Sequence, residues 1–273
     1  MNRFIVFTVL FTHLMLVTTS TANSAKCGNT GAGFNKWLVS FKKQAVAKGI
    51  SKRTVNASLN GLKYYRRVIY LDRNQRSFKL SFKAFYRKRV SNAMIIKSRR
   101  KIKQYSKTFR RIEKRFGVPA EVITAIWALE TNFGSYRGKM SIMRALATLA
   151  YDCRRSKFFT NELIHALKVV QRGDIKPHQL RGAWAGEIGQ TQFLMSTYYK
   201  FAIDFDGNGR AELIKSMPDV LASTANYLKA YGWKRGAGWN PGTSNYKVLQ
   251  QWNRAEVYSK TIAVMANKIS RRR

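Results

Sequence analysis

The segment PAEVITAIWALETNFG sets one acidic side chain where a carboxyl group could serve as an acid. Glu130 follows Ile123 by seven residues, Ile126 by four and Trp127 by three, offsets that on a helix put it on one apolar stripe. A carboxyl pressed against apolar and indole surface loses hydration, its pKa rises, and near neutral pH it can hold the proton a general acid must give. The same offsets suit a Glu at the edge of the stripe that swings into solvent, and periodicity does not separate the two. Beyond the first 25 residues the only histidines are His165 and His178, and neither sits in a Ser/His/Asp or Cys/His pattern. No CxxC or HxxxH spacing exists for zinc. In DFDGNGRAE, Asp204, Asp206 and Asn208 occupy positions 1, 3 and 5 of an EF-hand loop and Gly209 position 6, but Lys215 stands at position 12, where a bidentate Glu belongs. An Asx-rich turn without metal fits those residues as well.

The elements that must position these groups read as helices. Pro119 suits a first helical position, Glu121 the positive end of the helix that carries Glu130, and Gly134 its stop. Further helices are predicted from Ile142 to Tyr151, Phe158 to Val170, Asp219 to Tyr231 and Asn253 to Ile269. Phe34, Leu38, Phe41 and Ala45 fall about one turn apart, with Gly49 as a stop. In KSRRKIKQYSKTFRRIEKRFG, Ile102, Tyr105, Phe109, Ile112 and Phe116 recur at three- and four-residue steps, which predicts one apolar stripe beneath a basic solvated face. Only the region near Ala183 to Leu194 and the turn around Asp206 read as non-helical. The predicted fold is mainly α with a small irregular or β region and no internal repeat.

Composition bounds the partners. A hydrophobic fraction of 45% with 13% aromatic residues supplies a packed core and excludes a disordered basic tail. The formal charge of +38 predicts a polyanionic partner: nucleic acid, an anionic membrane surface or an acidic extracellular polymer. Asn2 and Arg3 precede an apolar run from Phe4 to Val17 and small residues around Ser20, Ala22 and Ala25, the layout of a secretory signal peptide cut near Ala22 to Ala25. That run is shorter than the roughly 20 apolar residues of a spanning helix, and Lys26 before Cys27 disfavours a lipid anchor, so a soluble exported protein is expected. Export disfavours nucleic acid as a partner. It also lets Cys27 and Cys153, the only cysteines, persist as a disulfide, two free buried thiols being the alternative. Residues 26–115 carry 27 Lys+Arg against Asp72 and Glu113 alone, whereas residues 116–273 carry 23 against 11 carboxylates. The chain thus reads as a signal peptide (1–25), a basic helical N-terminal part (26–115) and a part that carries the chemistry (116–273).

Several segments in order carry a family resemblance. FGVPAEVITAIWALETNFG, LATLAYDCRRS, RGAWAGEIGQTQF, DFDGNGRAEL, VLASTANYLKAYGW and QWNRAEVY run from Phe116 to Tyr258, and LDRNQRSF near Asp72 extends the likeness. Together they resemble the lytic murein transglycosylases of the B type. The resemblance implies a lysozyme-like core over 116–273 and cleavage of the β-1,4 bond between N-acetylmuramic acid and N-acetylglucosamine in peptidoglycan. Water is not consumed, because the muramyl C6 hydroxyl attacks its own C1 and leaves a 1,6-anhydro ring. Glu130 is implied as the single acid/base, where hydrolases generally need a second carboxylate. The resemblance assigns substrate contacts to Gln190, Gln192, Ser196, Tyr227, Asn253 and Tyr258. It assigns peptide-stem carboxylates to Arg154 and Arg155, a task suited to the guanidinium fork. It also offers Asp219 to close a structural calcium loop with Asp204, Asp206 and Asn208, and implies that no cofactor is required. Met195 stands where the family pattern has Pro, a change that would loosen the turn aiming Ser196; Thr197 and Ala255 each replace a Ser. Glu187 is a second carboxylate that would serve a hydrolytic muramidase, and an inactive wall-binding protein is a further alternative. The expected partners are peptidoglycan glycan strands and stem peptides, with electrostatic contact to an anionic wall or membrane surface. The expected state is a periplasmic monomer.

Overall fold

The computed structural model describes residues 26–75 and 80–271. The expected export signal lies outside the described residues, as does the end of the LDRNQRSF segment. Among the described residues the basic part forms α1 (Phe34–Ala47), α2 (Lys52–Leu59), α3 (Arg66–Arg73), α4 (Phe82–Arg89), α5 (Asn92–Gln104) and α6 (Ser106–Phe116). The rest forms α7 (Ala120–Thr131), β1 (Met140–Ser141), α8 (Ile142–Tyr151), α9 (Ser156–Arg172), β2 (Arg181–Gly182), α10 (Met195–Phe201), α11 (Met217–Ala230), α12 (Ser244–Trp252) and α13 (Glu256–Ser270). The two strands pair antiparallel, Met140 opposite Gly182.

Local chemistry sets the helix ends. Ser51, Ser81, Ser91, Ser141, Ser216 and Thr243 each accept a hydrogen bond from the backbone N–H three residues on, a cap that contributes about 1 kcal/mol. Gly117 and Gly173 close α6 and α9 in the left-handed region, with φ of 72° and 90°. The stretch predicted as one striped helix is two, because the chain turns at Tyr105 (φ −105°, ψ 26°). The turn sets α5 against α7 and α6 against α11, while the Tyr105 ring packs 6.1 Å from that of Trp127. Phe109, Ile112 and Phe116 are buried as the stripe requires; Ile102 and Tyr105 are only half-buried. The last predicted helix starts late, at Glu256, since Asn253 to Ala255 form the corner between α12 and α13.

The helix α7 lies at the centre, with α5, α11 and α13 packed on it. Ten of its twelve residues are buried, so it has no solvated face and the one-sided stripe expected around Glu130 is absent. Buried side chains from Phe34 to Ile269 form one cluster. The change of charge near residue 116 is therefore a change in sequence character and not a break in the core: α1 and α3 pack on α8, and α4 and α5 pack on α13. Near the start, Cys27 and Cys153 form a disulfide (S–S 2.08 Å), and the Gly28 N–H donates to Tyr151 O at 2.9 Å.

Candidate active site

Glu130 reaches its place because α7 ends abruptly behind it. Asn132, Phe133 and Gly134 all have left-handed backbones, with φ of 49°, 60° and 82°. That conformation is costly for a residue as bulky as Phe133. Its ring is held edge-on to Trp127 at 5.2 Å, with the Lys97 ammonium 4.8 Å from its centre. The Thr131 hydroxyl ties the turn down, accepting from Gly134 N–H at 2.8 Å and donating to Gln190 O at 2.6 Å.

The Glu130 carboxyl is half-buried at one side of a cavity of about 410 Å³. Its Oε1 accepts from Trp252 Nε1 at 3.0 Å and from the Tyr258 hydroxyl at 2.8 Å. Loss of hydration raises its pKa above the ordinary Glu value, and Glu187 adds to the rise. The Trp252 and Tyr258 hydrogen bonds and the Arg89 guanidinium oppose it. Arg89 is fixed nearby by donating to Leu129 O at 2.5 Å. Tyr258 stays a neutral phenol, because burial and then the adjoining carboxyl push its own pKa well up. The site therefore holds a carboxyl biased toward its protonated form, with one oxygen fixed by two donors.

The residues singled out in the sequence divide into cleft and frame. Gln192, Tyr227 and Asn253 line the cavity with Glu130. Gln192 takes a left-handed φ of 53° and donates its Nε2 to Gly189 O at 2.9 Å, so its Oε1 is the acceptor left for a ligand. Tyr227 donates to Gln251 O at 2.8 Å, with its ring edge-on to Trp252 at 5.0 Å. Asn253 Oδ1 accepts from Ala255 N–H at 3.0 Å and holds the corner before α13. Gln190 behaves otherwise: its Oε1 accepts from Trp127 Nε1 at 2.9 Å and its Nε2 donates to Ile214 O at 3.0 Å. Its amide is consumed inside the protein as a brace. Ser196 is absent from the cavity lining, where Thr197 appears, and its N–H donates to the buried Glu162 at 2.9 Å. Met195 begins α10 and is fully buried, so apolar packing holds the turn in place of a proline ring. Arg154 and Arg155 both bind the buried Asp72, Arg154 at 2.5 Å, and Arg73 binds Asp152 at 2.6 Å. Asp204, Asp206 and Asp219 bring carboxylate oxygens within 4.8 Å of one another, while Asn208 Oδ1 accepts from Arg210 N–H.

Trp252 was not singled out by sequence reasoning, although the QWN segment contained it; an indole at a helix end carries no periodic signal. Comparison with known proteins supplies the context. A family model, the transglycosylase SLT domain, matches residues 33–243. The chain belongs to this transglycosylase family. Membrane-bound lytic murein transglycosylase B of Escherichia coli (strain K12) is 39% identical over 134 residues, 49% of this chain and 37% of that protein. The match spans less than half the length of that relative. Crystal structures of SltB3 from Pseudomonas aeruginosa, in complex with NAG-anhNAM-pentapeptide and with NAG-NAM-pentapeptide, superpose with a TM-score of 0.83 at 27% identity, covering 88% of this chain and 80% of theirs. The Escherichia coli lytic transglycosylase SLT35 in complex with calcium shares the fold, with a TM-score of 0.75 at 23% identity over 90% of this chain and 96% of that one. These neighbours and the helical content establish the lysozyme-like transglycosylase fold.

Proposed function

We propose that this protein is a lytic murein transglycosylase that cleaves the MurNAc-β-1,4-GlcNAc bond of peptidoglycan with Glu130 as its acid/base. The observation that carries the reading is the Glu130 carboxyl, whose pKa is raised by loss of hydration and which is fixed through one oxygen at the side of a sugar-sized cavity. Glu130 gives its proton to the glycosidic oxygen as the C1–O bond breaks, releasing the GlcNAc C4 hydroxyl. The muramyl C6 oxygen then bonds to C1, and its proton returns to Glu130. Atoms balance without water, and the internal hydroxyl acts at high effective concentration.

Gln192, Tyr227 and Asn253 line the cleft and would meet sugar hydroxyl and acetamido groups. Arg154 and Arg155, oriented by Asp72 yet partly exposed, have N–H groups to spare for stem-peptide carboxylates. The oxygen donors of Asp204, Asp206 and Asp219 fit a structural calcium ion, a hard cation that prefers such ligands. Calcium should then raise the melting temperature and a chelator should reverse it; no change would sink that assignment. No helix among the described residues is long and apolar enough to cross a membrane, and the disulfide suits the oxidising periplasm. Mass spectrometry of digested sacculi tests the chemistry. Anhydromuramyl ends are expected, and reducing ends in their place would overturn it.

A further inference from the structure

The cleft holds a second carboxyl that this chemistry does not use. Glu187 lines the same cavity as Glu130, and its backbone is tightly specified. Ala183 N–H donates to Glu187 O at 2.9 Å, Gly186 N–H donates to Ala183 O at 3.3 Å, and Ile188 exchanges two hydrogen bonds with Phe193 at 2.8 and 2.9 Å. Two glycines are required: a Cβ on Gly182 would lie 2.0 Å from Glu187 O, and one on Gly186 (φ 94°) would lie 2.5 Å from Leu146. A loop held this firmly aims its side chains, and the one at Glu187 ends in a buried oxygen, Oε2, without a hydrogen-bond partner. Such an orphan is costly unless something else satisfies it.

Of the neighbouring charged groups, Arg155 at the start of α9 binds Asp72 while its buried Nε has no hydrogen-bond partner, Glu162 on α9 receives the Ser196 N–H, and Glu130 on α7 receives Trp252 and Tyr258. We propose that Glu187 is a substrate-specificity residue whose carboxylic O–H donates a hydrogen bond to a hydroxyl or acetamido oxygen of the sugar bound beside Glu130. Burial raises its pKa above the ordinary Glu value and Glu162 adds to the rise, against the opposing pull of the amides of Glu187 and Ala185 and of Arg155. The protonated form is the one that donates.

The inference rests on the cleft being a glycan site, and the variants separate the two ideas. With purified sacculi as substrate, Glu187→Gln keeps an N–H donor of the same shape and should stay within about threefold of wild type in kcat/KM. Glu187→Leu and Glu187→Met keep the bulk without the donor and should raise KM about tenfold with little change in kcat. Wild-type kcat/KM should fall as pH rises through the Glu187 pKa, and Glu187→Gln should lose that fall while retaining the one set by Glu130. Thermal melting checks that each variant is folded. A wild-type KM in both donor-free variants overturns the assignment, as does a Glu187→Gln variant no better than Glu187→Leu. Wild-type digests that contain only reducing ends defeat the transglycosylase reading and leave the KM comparison to decide the role of Glu187.

Discussion

Both donors on Glu130, Trp252 and Tyr258, reach the same oxygen, Oε1, of a residue that lines the cavity. Removing one donor separates proton affinity from orientation. Tyr258→Phe deletes a hydrogen bond that favours the ionised carboxyl, so the pKa of Glu130 rises further and the alkaline limb of kcat should move to higher pH. At the optimum, kcat should fall about tenfold, because the remaining bond from Trp252 no longer fixes the carboxyl. A pH–rate profile checks both signs, and an alkaline limb displaced to lower pH contradicts the assignment. Glu130→Gln should abolish turnover while sacculus binding, measured by co-sedimentation, persists. Its stability carries a second sign. A raised folded pKa means the wild type is most stable below the ordinary Glu pKa and loses stability as pH rises through the raised value, so Glu130→Gln should melt higher than wild type only on the alkaline side. Glu130 was legible in the sequence because acids are scarce and this one adjoins apolar neighbours. Its two donors were less so, since they come from 122 and 128 residues away.

Among the elements, the three left-handed residues after α7 matter most. Gly134 has φ of 82°, and a Cβ there would lie 2.4 Å from Gln190 Oε1, the atom that accepts from Trp127. Gly134→Ala should therefore cost about 1–3 kcal/mol and lower the melting temperature by several degrees. Activity should fall as well, because a displaced Gln190 loosens both the helix carrying Glu130 and the loop carrying Gln192. Calorimetry and a sacculus assay read the two effects, and an Ala variant that matches wild type in both shows that the brace is dispensable. The sequence announced the helix but set its stop at Gly134, whereas the helix ends at Thr131 with left-handed Asn132 as its cap, and it did not announce the brace. A Gln within GQTQF offers the same amide to a sugar or to a neighbouring indole, and only the packing decides. Similarly, α10 and α12 escaped notice because short helices between turns show too few periods. The break at Tyr105 escaped because the apolar spacing continues through it.

Across the whole molecule, much of the positive charge does structural work without carboxylates. Arg99 donates to the carbonyls of Lys268, Ile269 and Arg271 at the end of α13, and Arg235 to those of Glu113 and Lys114 at the end of α6. Arg144 reaches Lys63 O and Tyr64 O. Helix C-termini carry partial negative charge, so a chain poor in acids can use them as counter-charges. Only four ion pairs form among the described residues. On α5 and α6, half-buried Lys101 lies near the Tyr105 and Trp127 rings and exposed Arg111 over Phe205, whereas Lys103, Lys107, Arg110 and Lys114 are exposed with no ring against them. This second set is the part of the predicted basic face that is exposed and free of ring contacts. Converting the four to Gln should leave the melting temperature nearly unchanged and weaken sacculus binding several-fold at low salt. The difference should fade near 0.5 M salt, on the order of the concentration at which screening length falls below charge spacing. Cleavage of a short soluble muropeptide should not change, since the face lies outside the cleft. Equal binding of variant and wild type at low salt would show that these cations only keep the protein solvated.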